Sequence, residues 1–223
     1  ALQLVRSHVP DIIVSDVMMP RMNGYKLCKT IKEDINISHI PVILLTARDD
    51  RQSQISGYKN GADGYLSKPF EVEMLMELIR NRLKNREYTK KRYLNAGLIP
   101  TPEESTISLT DETFLIKLNS IIQENIENSN LGIQFICQEV GLGRSSLYNK
   151  LKALTGMGAN EYISKLRIEK AITLISGTDM PFSEIAEKTG FTTPSYFSTA
   201  FKQYTGETPS QYKERKKKGL ADK

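Results

Sequence analysis

Cysteine and histidine are scarce in this chain, two of each in 223 residues. Cys28 and Cys137 lie far apart, and His8 and His39 show no metal-ligand spacing. Neither a disulfide framework nor a zinc-type site is therefore expected. The two thiols read as buried and inert, in a reducing compartment. Long apolar runs are missing as well. The longest, IPVILL, falls far short of the roughly 20 residues that a bilayer-spanning helix needs. No charged stretch followed by an apolar one opens the chain, so nothing directs export. With 39% hydrophobic residues, the reading is a cytoplasmic protein of one large or two modest domains. Charge is nearly balanced overall, at +5. It is not evenly spread: residues 131–223 hold 14 Lys/Arg and 9 Asp/Glu, so that segment alone is +5 and the remainder sums to zero. A basic half beside a neutral half suggests an anionic partner for the C-terminal part.

The first ninety residues alternate short apolar runs with amphipathic stretches. DIIVSD (11–16), IPVILLT (40–46) and GYLSK (64–68) read as buried strands. Residues 24–32 and 49–61 read as helices, and Val72, Leu75, Ile79 and Leu83 lie at helical spacing in a third. Strands alternating with helices predict βαβ units and a parallel sheet. Asp16, ending the first of these strands, would be a turn or cap residue on its own. Outside the carboxyl edge of a parallel sheet, however, is where such folds place their sites. Residues 85–113 then turn polar, with two prolines and no long period, and read as a linker. Thr101-Pro102-Glu103-Glu104 has the grammar of one short helical turn. From about Phe114 onwards every segment has a helical period.

The second half contains a repeat. GLGRSSLYNKLKALTGMGANEY (141–162) and GFTTPSYFSTAFKQYTGETPSQY (190–212) both begin with Gly and a large apolar residue. Each continues with Ser and two large residues, Ser146-Leu147-Tyr148 or Ser195-Tyr196-Phe197. Each then reaches Thr-Gly, at Thr155-Gly156 or Thr205-Gly206, with Tyr162 or Tyr212 placed alike after it. QFICQEV and SEIAEKT, ahead of the two glycines, are short and amphipathic. Helix, glycine turn and second helix make a helix-turn-helix, whose second helix enters the major groove of DNA. Residues 159–176 between the copies are periodic throughout, and would span roughly 27 Å as a helix.

These residues resemble the DNA-binding domain of the AraC/XylS family of transcription regulators over about 114–217. The signature is densest in the second copy: Ile185-Ala186, Gly190-Phe191, Ser195-Tyr196-Phe197, Phe201-Lys202, Gly206 and Thr208-Pro209-Ser210-Gln211-Tyr212. The resemblance implies tandem helix-turn-helix units on double-stranded DNA. On the first reading helix Leu147, Leu151 and Leu154 form an apolar stripe, and Ser145, Tyr148, Asn149 and Lys152 lie opposite. Asn suits adenine, and Lys suits guanine or phosphate. On the second, Phe197 and Phe201 face inward, leaving Pro194, Ser195, Thr199, Lys202 and Gln203 outward. Arg144 and the run Lys213–Lys218 suit phosphate contacts, which position without specifying; a solvated end explains that run equally well.

The first half resembles the receiver domain of two-component response regulators, on Asp16 in SDVMMPRMNG, Thr46 in ILLTAR and Lys68-Pro69 in YLSKPF. A carboxylate is a competent nucleophile toward phosphorus, and a hydroxyl with an ammonium can balance the transferred charge. The resemblance makes Asp16 the phosphoacceptor and assigns Thr46 and Lys68 to phosphate stabilisation. It also implies a cis Lys68-Pro69 bond, and makes Tyr65 the aromatic that turns inward with Thr46. A two-aspartate phosphatase would need an acid at position 18, which is Met18. No nucleophile–base pair or cofactor loop supports an enzyme.

One departure stands out. Receivers open with a strand ending in an acidic pair that binds Mg²⁺ beside the acceptor. Here ALQLVRSHVP looks like the helix before the Asp16 strand, so the first strand, first helix and second strand are expected to be absent. Asp16 and the Met18 carbonyl remain as metal ligands. Mg²⁺ would belong to the intact receiver, and weak binding and weak phosphotransfer are expected of this chain as a fragment. The expected fold is a partial flavodoxin-like α/β receiver (1–87), a linker (88–112), an all-α domain with two helix-turn-helix units (113–219) and a tail (220–223). The expected function is a phosphorylation-regulated, sequence-specific transcription regulator, served by a sensor histidine kinase on a separate chain or the same one. Pairing into a homodimer on phosphorylation is expected, and a hybrid two-component protein is the preferred parent. The alternative is a receiver-like module that serves only pairing or protein interaction and takes no phosphate.

Overall fold

The structure, a computed structural model, describes residues 1–47, 61–95 and 108–219. Two compact units emerge: Ala1–Ile116 with Ser145–Gly156, and Lys117–Arg144 with Met157–Lys223. The first begins with helix α1 (Leu2–His8), strand β1 (Ile13–Asp16) and helix α2 (Gly24–Glu33). Strands β2 (Val42–Thr46) and β3 (Gly64–Ser67) follow, then helix α3 (Val72–Asn95).

The three strands form one parallel sheet in the order β1-β2-β3. Central β2 is the most apolar, and its Val42, Ile43 and Leu44 are wholly buried. That is why its sequence runs apolar without alternation: both faces are covered. Leu27, Cys28 and Ile31 of α2 meet Val42 and Leu44 in one core with Ile37, Ile40 and Val5. Cys28 is inert as expected, its thiol pushed up to about 11 chiefly by burial. Cys137 is only half-buried, which corrects the expectation of two buried thiols. The helix expected over 49–61 lies outside the described residues apart from Gly61, and so does the helical turn at 101–104.

The polar stretch expected to be linker from residue 85 is helical as far as Asn95, in α3. Neither Gly nor Pro interrupts 72–95, and Arg86 ties the helix down by donating to the Asp11 carbonyl at 3.2 Å. Helix α4 (Leu109–Glu124) likewise starts before Phe114. The Ser108 hydroxyl accepts from the Asp111 N–H at 3.2 Å and donates to the Asp111 carboxylate at 2.8 Å. That start signal is legible in Ser108-Leu109-Thr110-Asp111.

The remaining elements are helices α5 (Ile133–Val140), α6 (Arg144–Thr155), α7 (Ala159–Gly177), α8 (Phe182–Lys188), α9 (Pro194–Thr205) and α10 (Pro209–Lys217). The repeat in the sequence is a repeat in conformation. Gly141 and Gly190 both adopt φ 73°, a left-handed conformation that a side chain disfavours. Behind each, the next residue donates back across the turn, Leu142 to the Cys137 carbonyl and Phe191 to the Ala186 carbonyl, at 3.0 and 2.9 Å. Both helices therefore stop in the same way. In the second unit, Phe191, Phe197, Phe201 and Tyr212 pack in a chain, tilted at the first contact and edge-on at the other two, with ring centroids 5.4 to 5.7 Å apart. Ile168, Ala171 and Ile175 of α7 and Ile185 of α8 complete that core.

Candidate functional site

At the carboxyl edge of the sheet, pairing registers Asp16 with Leu45 and Thr46 with Ser67. Lys68 follows directly, its N–H donating to the Thr46 carbonyl. Three successive strand ends thus bring Asp16, Thr46 and Lys68 to one edge, as the sequence predicts. The Lys68 ammonium forms an ion pair with the Asp16 carboxylate. The other Asp16 oxygen accepts from the Met18 N–H at 3.0 Å. The hydrogen bond from Lys68 and that from Met18 hold the Asp16 carboxyl below the usual carboxylate range, so it is ionised at neutral pH. Both side chains remain about one-third open to solvent, whereas Thr46 is buried. The Lys68-Pro69 bond is cis.

The loop after Asp16 is held by Gly24, whose N–H donates to the Val17 carbonyl at 3.0 Å. A Cβ at Gly24 would lie 2.5 Å from the Asp16 carbonyl oxygen, inside any tolerable contact. Tyr65 shares a hydrogen bond of 3.0 Å with the hydroxyl of Tyr25. Tyr25 was not anticipated, although it lies beside that glycine in sequence.

The described residues do not fit the Mg²⁺ that the receiver resemblance implies. Asp16 and the Met18 carbonyl are two oxygens, against the near-octahedral set the ion demands. Among the described residues no three His, Cys, Asp or Glu side chains gather.

The faces expected to read DNA are open. On α6, Arg144, Ser145, Tyr148 and Lys152 are exposed, Asn149 is half-buried, and Leu147, Leu151 and Leu154 are buried. On α9, Pro194, Ser195, Thr199, Lys202 and Gln203 are all exposed, while Phe197 and Phe201 are fully buried. The Thr193 hydroxyl caps α9 by accepting from Tyr196 N–H at 3.2 Å, with Pro194 in its first turn. The run Lys213–Lys218 is largely ordered as α10, begun by a capping box of Thr208 and Gln211. Lys213 faces Asp179 at 3.4 Å and Arg215 pairs with Glu207 at 2.8 Å, so neither is simply a phosphate contact.

Sequence reasoning passed over Lys150. It lies fully buried on α6, paired with Asp111 and donating to the Ser38 hydroxyl at 2.8 Å. Ser38 also donates to Asp111, at 2.7 Å. Burial raises the cost of both charges. For Asp111 the Lys150 charge and three hydrogen-bonding neighbours outweigh it, holding the carboxyl low, whereas the Lys150 ammonium is lowered because burial dominates. The signal was present: 147, 150, 151 and 154 follow helical spacing, so Lys150 falls on the apolar stripe.

Comparison with known proteins agrees with this geometry. The profile of the response regulator receiver domain matches residues 1–80, and that of a helix-turn-helix domain matches 136–215. Histidine kinase P4 of Formosa agariphila is 43% identical over 215 residues, covering 96% of this chain and 16% of that protein. The chain thus spans about a sixth of that relative's length. Probable transcriptional regulator ycf29 of Pyropia yezoensis is 30% identical, over 72% of this chain and 78% of that protein. Among solved structures, the C-terminal domain of AraT, a response regulator from Geobacillus stearothermophilus, is 32% identical over 45% of this chain and 84% of its own, with a TM-score of 0.43. The chain belongs to the response regulators in which a receiver domain is joined to an AraC-type helix-turn-helix DNA-binding domain.

Proposed function

We propose that this chain is the output end of a phosphorylation-controlled, sequence-specific transcription regulator, with a receiver over 1–87 and a DNA-binding domain over 113–219. The observation that carries the reading is the Asp16–Lys68 ion pair at the sheet edge beside Thr46. A histidine kinase supplies the phosphoryl group. An Asp16 carboxylate oxygen attacks phosphorus, the phosphorus–nitrogen bond to the kinase histidine breaks, and the imidazole leaves with the bonding electrons. Lys68 then balances charge on the new acyl phosphate, and the Thr46 hydroxyl offers it a hydrogen bond. Identity with a histidine kinase across almost the whole chain supports a parent in which kinase and output share one polypeptide. Phosphorylated receivers pair, and bring two DNA-binding domains to adjacent sites. Ser145, Tyr148, Asn149 and Lys152, with Pro194, Ser195, Thr199, Lys202 and Gln203, are the base-facing candidates, and Arg144 is placed for phosphate.

The test uses the N-terminally extended protein, incubated with a small-molecule phosphodonor and Mg²⁺. Intact mass should show one hydroxylamine-labile phosphate that Asp16→Asn abolishes. An extended protein that takes no label, or an Asp16→Asn variant that keeps it, removes the phosphoacceptor reading.

A further inference from the structure

A cavity of about 80 Å³ lies within the first unit, away from the Asp16 edge of the sheet. Its lining includes His39, just ahead of β2, and Asp63, just ahead of β3. A full strand therefore separates it from Thr46 and Ser67 at the carboxyl edge. Arg82 and Arg86 of α3 also line it, four residues apart on one side of that helix. Lys32 and Asp111 complete the charged lining. Two nitrogens here are left over. His39 is more than nine-tenths buried, and neither its Nδ1 nor the buried Nε of Arg82 has a hydrogen-bond partner among the described residues. Buried polar atoms are nearly always paired, with protein, water or a ligand.

The charges do not cancel either. Lys32 is matched by Asp63 at 2.8 Å, and it also donates to the Ser38 and Ile40 carbonyls at 3.2 and 3.0 Å. Asp111 is matched by Lys150. The guanidinium groups of Arg82 and Arg86 remain. Among the described residues no carboxylate pairs with Arg82, and Arg86 meets Asp11 at 3.5 Å, a side chain almost wholly in water. Water in the cavity would satisfy the two nitrogens but not the excess charge, whereas an anion would do both. Guanidinium forks match the oxygens of a phosphate group, and a neutral imidazole can donate from Nδ1. Size narrows the choice. One water-sized group needs about 10–15 Å³, so the cavity has room for roughly five, as many heavy atoms as a phosphate ion has. It falls well short of the roughly 300 Å³ or more that houses larger ligands.

We propose that this cavity binds inorganic phosphate, held by the guanidinium groups of Arg82 and Arg86 and by a hydrogen bond from His39 Nδ1. The bound ion ties α3 to the segment that leads into β2. No covalent bond forms, and the site shares no residue with Asp16, Thr46 and Lys68, so it stands whether or not Asp16 accepts a phosphoryl group.

The test uses the imidazole NMR signals of the full chain, which come from His8 and His39 alone. At neutral pH and fixed ionic strength, replacing chloride by phosphate should move the His39 signals along a saturable curve and leave those of His8 in place. Arg82→Gln should weaken phosphate by about tenfold or more, as the loss of a charge-assisted hydrogen bond implies. Lys84→Gln, which removes an exposed charge from α3, should leave the affinity unchanged. Glycerol phosphate, whose ester end the cavity has no room for, should bind at least about tenfold more weakly. His39 signals that stay fixed up to tens of millimolar phosphate, or that answer chloride and phosphate alike, would overturn the proposal, and neither result needs a variant to fold. So would an Arg82→Gln variant with wild-type affinity. Glycerol phosphate bound as tightly as phosphate would overturn it too, since the site would then take a monoester whose organic part lies outside.

Discussion

Lys150 and His39 meet a similar environment and resolve it in opposite ways. Lys150 keeps its charge by pairing with Asp111 and Ser38. The His39 ring has a buried Nδ1 with no hydrogen-bond partner, and its pKa is pushed down to about 4 by burial first and by the Lys150 charge second, with Asp111 opposing. His39 is therefore neutral in the folded chain at pH 7. The unfolded chain takes up a proton near pH 6.5, well before the folded one does. Stability should hold above about pH 6.5 and fall between there and about pH 4, by up to ~3 kcal/mol. Urea unfolding at stepped pH should show this slope, and His39→Gln should flatten it in that window. Lys150→Met leaves Asp111 buried and charged without its partner, a change that typically costs about 3–5 kcal/mol. Adding Asp111→Leu should restore much of the loss, which chemical denaturation of both variants would measure. A single variant as stable as wild type would mean that water reaches Asp111.

Elements defined by apolar period and by special residues were legible in the sequence. The strands ending at Asp16, Thr46 and Ser67 are short apolar runs bounded by polar residues, and the glycine turns at 141 and 190 stand at equivalent places in a repeat. Elements lacking those marks were not. The last turns of α3 are rich in charged and polar residues, so no regular apolar period betrays a helix there, and no Gly or Pro breaks it. The start of α4 was missed because its cap was counted among linker residues. Tyr25 and Lys150 were missed because their partners lie far away in sequence, at Tyr65, Asp111 and Ser38. The Thr193 cap of α9 gives a test at this scale. Thr193→Ala removes the acceptor for the Tyr196 N–H and should cost about 1 kcal/mol. The thermal midpoint should fall by a few degrees and DNA affinity should drop, because α9, the proposed second reading helix, frays at its capped end.

The family is shown by two profile matches and by a relative that shares most of its length with this chain. The molecule thereby combines a charged receiver sheet edge with a helix-turn-helix DNA-binding domain on one polypeptide. Its formal charge, however, overstates the field that a duplex would meet. Of the 14 cations in residues 131–223, Lys150, Lys165 and Arg167 are buried. These three are engaged with protein groups and hold no condensed ions to exchange. DNA binding releases roughly 0.9 counterion per phosphate neutralised. A plot of log affinity against log salt concentration should therefore have a slope set by exposed Arg144, Lys152 and Lys202 and the outward lysines of α10. Lys152→Gln should make that slope shallower by about one. Lys165→Met should leave it unchanged, because an ammonium packed away from water has no ion atmosphere to surrender.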